Sequence, residues 1–301
     1  VDRFQSLNGW MDDLRSQVNR DFQTYTDEIN GLGQSIAAVN ARIQGVANDQ
    51  GFPPNDLLDE RDHLIDQLSE LVNVSTLQQD DGSLNVFMGS GQALVIGETA
   101  NSLVVTNNPE AVDHKELAIS LVGGGLATVT NQINGGKLGG ILRFRDEVLD
   151  PAQNSLGLVA IGLAQSFNEE HTTGMDLDGD LGGNYFALAS PQALGNPGNT
   201  GSINVAFDDI TNLNNHEYDL SYDGADWIIN DLTTGTSTNL GGGAAFIHDG
   251  MGITVTAAPA LGDSYRLRPT RSGASAINTI VHDPRDIAAA EAVRTSDFPT
   301  N

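Results

Sequence analysis

The side chains here that could do chemistry are acids in turns and widely spaced histidines. The stretch "MDLDGDLGGNYF" puts Asp176, Asp178 and Asp180 at alternate positions, as a calcium-binding loop does. Counted from Asp176, an EF-hand needs glycine at its sixth position and a bidentate acid at its twelfth. Those positions hold Leu181 and Ala187, so the stretch reads as a solvated turn with at most a weak cation site. The histidines are His63, His114, His171, His216, His248 and His282, and no two share one helix face, so each reads as a surface or edge histidine. Gly123–Gly125 and Gly241–Gly243 lack the lysine and hydroxyl of a phosphate loop, and no G-x-S-x-G elbow occurs. Nothing in this pattern asks for catalysis, a cofactor or a metal.

The totals narrow the partners. A chain of 301 residues suggests two domains. A net charge of −26 opposes binding to nucleic acid or to an anionic membrane, because the phosphate interaction would be repulsive. No apolar run approaches the roughly 18 residues of a membrane span. There is no cysteine, which suits an exported chain and a reducing compartment equally. Val1-Asp2-Arg3-Phe4 offers neither a start methionine nor a helix cap, so the sequence reads as cut from a longer one.

Apolar residues from Phe4 through Leu7, Met11, Leu14, Val18, Phe22, Tyr25, Ile29, Leu32, Ile36, Val39 and Ile43 to Val46 recur at steps of three and four. This spacing predicts one long helix with a coiled-coil seam, a stutter near Val18, and an end before Pro53-Pro54. A second helix, capped by Asn55 or Asp56, carries Leu57, Leu64, Leu68 and Leu71, with Arg61 interrupting the stripe and reaching an edge or a carboxylate. The short connection predicts antiparallel packing. The period then switches to two: Val74–Gln78 and Leu84–Met88 flank Asp81-Gly82, a hairpin signal, and Gly89-Ser90-Gly91 turns the chain toward Ala93–Ile96. Further strands are expected at 102–106, 115–121 and 127–130. A third helical pattern runs from Leu138 to Phe167, with apolar Leu138, Leu142, Leu149, Ala152, Leu156, Val159, Leu163 and Phe167; it is the expected cover for the seam of the first helix, with a kink or restart at Pro151 capped by Asp150. From 199 to 268 short alternating runs predict a small all-β module, followed by a strand near Ile277–Val281 and a short helical stretch over 286–292.

The stretch "LLDERDHLIDQLSELVNVSTLQQDDGSLNVFMGSGQALV" resembles the flagellar hook-associated protein 1 family, the hook–filament junction protein. The residues carrying the likeness are Arg61, Asp62, Leu64, Leu68, Asp81, Gly82, Gly89 and Gly91. A second similar stretch is "GGKLGGILRFRDEVLDPAQNSLGLVAIGLAQSFNEEHTTGMDLDGDLGGNYF", with Arg145, Asp146, Pro151, Phe167 and Asn168; a third is "LRPTRSGASAINTIVHDPRDIAAA". Together they span about half of the chain. The resemblance implies a structural, non-enzymatic subunit that joins the curved hook to the filament. It implies secretion through the flagellar type III route to the extracellular hook–filament junction. The implied partners are other copies in a ring, the hook protein, the next junction protein, and an export chaperone bound through a C-terminal segment. It further implies a core lacking the family's terminal helical segments.

The expectation is an α+β protein: an elongated long-helix bundle over 1–198 with a β-meander at about 74–130, an inserted all-β domain over 199–283, and a return segment over 284–301. The competing reading makes the all-β domain a glycan- or surface-binding module presenting Trp227, Tyr218 and Tyr222. A hydrolytic insert is disfavoured because no catalytic pair is visible there.

Overall fold

The three-four spacing of the N-terminal segment does produce a single helix. In the computed structural model, which describes residues 1–50, 55–120 and 125–291, α1 runs Asp2–Gln50 without interruption. Pro53 and Pro54, expected to stop it, lie outside the described residues, as do Gly123, Gly124 and the last part of the expected 286–292 stretch. The chain divides into two compact units, Asp13–Leu149 and Val1–Asp12 with Asp150 onward.

In the Asp13–Leu149 unit, α2 (Asn55–Leu71) follows α1. Then come β1 (Val74–Gln78), β2 (Leu84–Met88), β3 (Gln92–Ile96) and β4 (Thr99–Ala100), an antiparallel sheet in sequence order. A second antiparallel sheet holds β5 (Leu103–Asn107), β6 (Lys115–Ser120) and β7 (Leu126–Thr128), so the expected meander is in fact two sheets. α3 (Gly136–Phe144) continues into a π-helical turn, Arg145–Leu149. The stripe of α1 is buried differently from a coiled-coil seam. Phe22, Ile29 and Ile36 share one core with Leu68 and Leu71 of α2, Val86, Met88, Leu94, Val95, Leu103 and Leu117 of the sheets, and Leu138 and Leu142 of α3. Strands can cover a narrow helical stripe because alternate residues of each strand point to the same side. Toward its end α1 packs chiefly on a helix, where Val39 and Ile43 meet Leu57.

In the other unit, α4 (Asp150–Thr173) begins beside the π turn with Pro151 as its second residue, where a missing N–H costs nothing. β8 (Gly174–Met175) and β9 (Phe186–Ala187) follow. A sandwich is then built from β10 (Gln192–Gly195), β11 (Ser202–Phe207), β12 (Tyr218–Tyr222), β13 (Trp227–Asp231), β14 (Ser237–Gly241), β15 (Ala245–His248), β16 (Met251–Ala257) and β17 (Ser264–Arg268). Its sheets are ordered β10-β17-β12-β13-β14 and β11-β16-β15. One core joins Tyr218, Leu220, Trp227, Ile229 and Leu267 of the first sheet to Val205, Met251 and Ile253 of the second, with Ile161 of α4. After the one-turn α5 (Gly273–Ala276), β18 (Asn278–Thr279) pairs with β9, and β19 (Ala290–Glu291) pairs with β8. The expected helical stretch from Asp286 is instead the end of a 3-10 turn, Pro284–Asp286, leading to β19.

The units cut the chain elsewhere than the expected boundary at 198. The segment 150–198 groups with the sandwich because α4 buries Ile161 in the sandwich core and β10 is already a sandwich strand. The expected stripe holds at Leu138, Leu142 and Leu149, which are buried, and at half-buried Leu156, but turns outward further along α4. Val159, Leu163 and Phe167 are exposed, whereas Asn154, Gly157, Ala160, Ile161, Ala164 and Asn168 are buried. Small residues on that face allow backbone-to-backbone approach, which large apolar ones would block.

Leu68 has no exposed surface, and a carboxylate there has no partner. Leu68→Asp is expected to lower the melting temperature of the Asp13–Leu149 unit by about 10 °C or more, while Asp226→Ala in a sandwich turn shifts its unit by no more than about 2 °C, read by scanning calorimetry. Equal effects would refute this assignment of core and surface.

Candidate functional site

The residue clusters that hold this protein in shape are buried and polar. The most developed lies in the Asp150-onward unit, where the start of α4 meets the strands of the sandwich. Arg271 follows β17 and is 7% exposed; its Nε donates to Glu217 Oε1 at 2.9 Å and to Asn154 Oδ1 at 3.0 Å. Its Nη1 donates to Gln153 Oε1 at 3.2 Å, and its Nη2 lies 3.2 Å from Asp150 Oδ1. Glu217, just before β12, also accepts from Arg268 Nε at 3.3 Å. Gln153 passes the network on, donating to Asn8 Oδ1 and Asp12 Oδ1 of α1, each at 2.9 Å. Arg266 Nη1 also lies 3.8 Å from Glu217 Oε2, so three cations and two carboxylates are held together away from water. Such a cluster is tolerable only when the guanidinium fork meets its acceptors in plane.

Beside it, α4 and the segment after β17 touch through backbone. A Cβ on Gly157 would lie 1.8 Å from Thr270 O, and one on Gly273 would lie 2.2 Å from Gly157 O. Further along α4, Asn168 Oδ1 accepts from the N–H groups of Tyr185 and Phe186 at 2.8 Å, and its Nδ2 donates to Phe186 O at 2.9 Å. His171 is bonded at both ring nitrogens: Nδ1 to Gly183 O at 2.7 Å, and Nε2 accepting from Ala288 N–H at 3.0 Å. These bonds fasten β9 and the returning chain to α4.

In the Asp13–Leu149 unit a second clamp answers why a helix runs directly into a hairpin. Arg61 is 5% exposed, and its Nη1 donates to Gly82 O at 3.0 Å and to Asn40 Oδ1 at 3.4 Å. Asn40 of α1 donates to Leu84 O at 2.9 Å and Gly97 O at 2.7 Å and accepts from Leu84 N–H. Burial draws the Arg61 guanidinium below its ordinary range, and neighbouring Asp62 opposes this. Arg61 therefore reaches a turn carbonyl rather than the carboxylate that was one expected partner.

The family-signature positions fall into this scheme unevenly. Asp81 accepts from Ser83 N–H and Oγ, and Gly82 carries the positive φ of the β1–β2 loop. Asp81 itself does not, so the loop is not the two-residue hairpin the Asp-Gly pair suggested. Gly89 has φ 56°, and a Cβ there would sit 2.0 Å from Gln132 O, so no other residue fits. Gly91 lies in the same turn. Leu68 is in the core, Leu64 is half-buried and Asp62 is exposed. Arg145 of the π turn bonds Lys115 O at 2.8 Å and exposed Asp146 at 2.7 Å. Phe167 packs at a tilt on Tyr185, with ring centroids 4.8 Å apart.

Several other expectations are corrected. His114 and His171 are buried, not edge residues, and His114 Nε2 is 2.9 Å from Arg15. Trp227 and Tyr218 are core residues at 1% and 0% exposure and Tyr222 is half-buried, so they offer no glycan platform. Burial and Asp249 push the Tyr218 phenol well above its usual range. Asp176 is occupied by the N–H groups of Asp178 and Asp180, and Asp178 pairs with Arg285. Among the described residues no group of three histidines or acids has metal-holding geometry. Sequence reasoning missed Glu217, Gln153, Asn154, Arg268 and Arg271; the visible signal was the polar pair Gln153-Asn154 inside an otherwise apolar helix.

A family model of the flagellar hook-associated protein FlgK helical domain matches residues 1–186, and one of the flagellar hook-associated protein 1 D2-like domain matches 192–269. The chain belongs to the flagellar hook-associated protein 1 family. That family is structural and non-enzymatic. The boundary between the two matches falls between β9 and β10, where the sandwich begins. Flagellar hook-associated protein 1 of Escherichia coli K12 is 33% identical over 96% of this chain and 54% of its own length; that of Salmonella typhimurium LT2 gives the same figures. The solved flagellar hook junction protein FlgK from Burkholderia pseudomallei superimposes with a TM-score of 0.87 at 30% identity, over 96% of this chain and 53% of that one. The chain spans about half the length of these relatives.

Two predictions follow from the geometry. Glu217→Ala leaves Arg268 and Arg271 buried without their shared carboxylate and is expected to cost about 3–5 kcal/mol in urea unfolding of the sandwich unit; a loss under about 1 kcal/mol would show that the cluster does not hold the unit together. The second concerns acid. Asp209 is held below the usual carboxylate range by the Thr211 hydroxyl and N–H, and Asp223 by the N–H groups of Asp226 and Ala225. Burial pushes Asp231 and Asp263 up, but hydrogen bonds outweigh it and both also lie low: from Thr234, His216 and Thr233 on Asp231, and from Gly201, Ala260 and Thr200 on Asp263. Folded values below the unfolded one, about 3.9, contribute stability that is full above that pH and lost as pH falls through the folded values. In about 0.5 M salt, which screens the general repulsion of the acids, sandwich stability is expected to drop below about pH 4. A melting temperature unchanged from pH 5 to pH 2.5 would contradict this.

Proposed function

We propose that this chain forms the core of a structural subunit at the junction between the hook and the filament of a bacterial flagellum. The observation that carries the reading is the pair of family matches covering both the helical part and the sandwich. The architecture supports it, since each contact between elements described above is a fixed clamp of buried polar or apolar groups. In this reading the subunit packs beside other copies in a ring, with the hook protein on one side and the next junction protein on the other. It leaves the cell unfolded through the flagellar export route, accompanied by a chaperone, and works outside the cell.

The test is genetic complementation. The full-length protein is supplied to a strain lacking its own hook-associated protein 1. Filaments anchored on hooks and restored swimming are expected, with the protein at the filament base by immuno-electron microscopy. Bare hooks, despite protein exported to the medium, would sink the reading.

A further inference from the structure

We propose that the uncharged outer face of α4 is where this protein meets a second copy of itself. The proposal deepens the reading above and rests on it. From Pro151 to Asn168 the helix has no charged side chain, in a chain of net charge −26. On that stretch Val159 is 61% exposed, Leu163 48% and Phe167 43%. Steps of four put them in one stripe, away from the buried Asn154, Gly157, Ile161 and Asn168. At its end the stripe borders Tyr185, on which Phe167 packs. An uncharged, apolar stripe of this kind suits a protein contact.

Gly162 is the second observation. It lies beside Leu163 in the helix interior, where glycine costs about 0.5–1 kcal/mol against alanine. A Cβ there would meet nothing within 4 Å, so the packing of this chain gives no reason for the glycine. With exposed Ser166 one turn on, it leaves a shallow notch beside the apolar stripe, the form a closely approaching neighbour fits.

Charge selects the occupant. Two copies of a strongly acidic chain repel, and contact through a carboxylate-bearing face brings like charges together. The exposed Leu7 and Trp10 of α1 sit among Asp2, Arg3, Asp12 and Asp13, and exposed Ile247 lies two residues from Asp249. The α4 face lets an equally acidic copy approach without that cost. In a closed ring it forms one half of a head-to-tail contact. Three side chains and their borders cover far less than the roughly 800 Å² per partner of a stable interface, so the contact is weak in solution and strengthened by ring closure.

The experiment is sedimentation velocity in about 0.5 M salt over a concentration series up to about 1 mM, for this chain and for Leu163→Glu, Gly162→Gln and the control Ile247→Glu. The unsubstituted chain and the control are expected to sediment faster with rising concentration. Leu163→Glu and Gly162→Gln are expected to weaken that association at least tenfold with unchanged melting temperature, since neither site is enclosed. Association that survives both substitutions overturns the proposal while leaving the ring reading intact, because the copies then meet elsewhere. Absence of any association by the unsubstituted chain also overturns it, and complementation judges the ring reading separately. Radical footprinting of the monomeric full-length protein supplies the last arm: Leu163 already protected there would assign the face to another part of the same chain and overturn the proposal.

Discussion

Arg271, with less than a tenth of its surface in water, is the residue on which the sandwich unit turns. Its guanidinium reaches Glu217 before β12, Asn154 and Gln153 on α4, and Asp150 at the helix start. A planar fork with fixed donor directions satisfies four such partners in only one placement of helix against strands. An apolar contact of the same size would tolerate sliding; this one does not, because any displacement strands a buried charge. The Gly157–Thr270 approach then acts as a stop, since the backbones are already in contact.

The Asp13–Leu149 unit solves a related problem by other means. A narrow apolar stripe on α1 is buried beneath two small sheets, and the point where helical and extended chain meet is held by Asn40 and Arg61. Both side chains serve carbonyls and N–H groups of the β1–β2 and β3–β4 turns. Stability comes from the apolar core, and register from the polar clamp.

The clamps also shape the charge that the molecule shows to its surroundings. Of 14 lysines and arginines, Arg15, Arg61, Arg145, Arg266, Arg268 and Arg271 are buried. Six of the fourteen positive charges are therefore internal, and the surface is more uniformly acidic than the composition suggests. Such a surface keeps copies apart at low salt and gives unusual weight to any face that carries no charge.

The sequence by itself determined the elements whose signals are local. The steps of three and four from Phe4 to Val46 made α1, the leucines of α2 made an amphipathic partner, and the alternation around Asp81-Gly82 made β1 and β2, since periodicity and turn chemistry act within a few residues. The letters around Arg61, Gly89, Arg145 and Asn168 also carried the family. Tertiary structure alone decided which side of α4 is buried. That helix has apolar residues on both sides, and the deciding contacts come from Thr270 and Gly273, more than 100 residues away in the chain. It alone joined Glu217 to Arg271, and His171 to Ala288, because a buried hydrogen bond depends on where two distant segments meet, and no local pattern records that meeting.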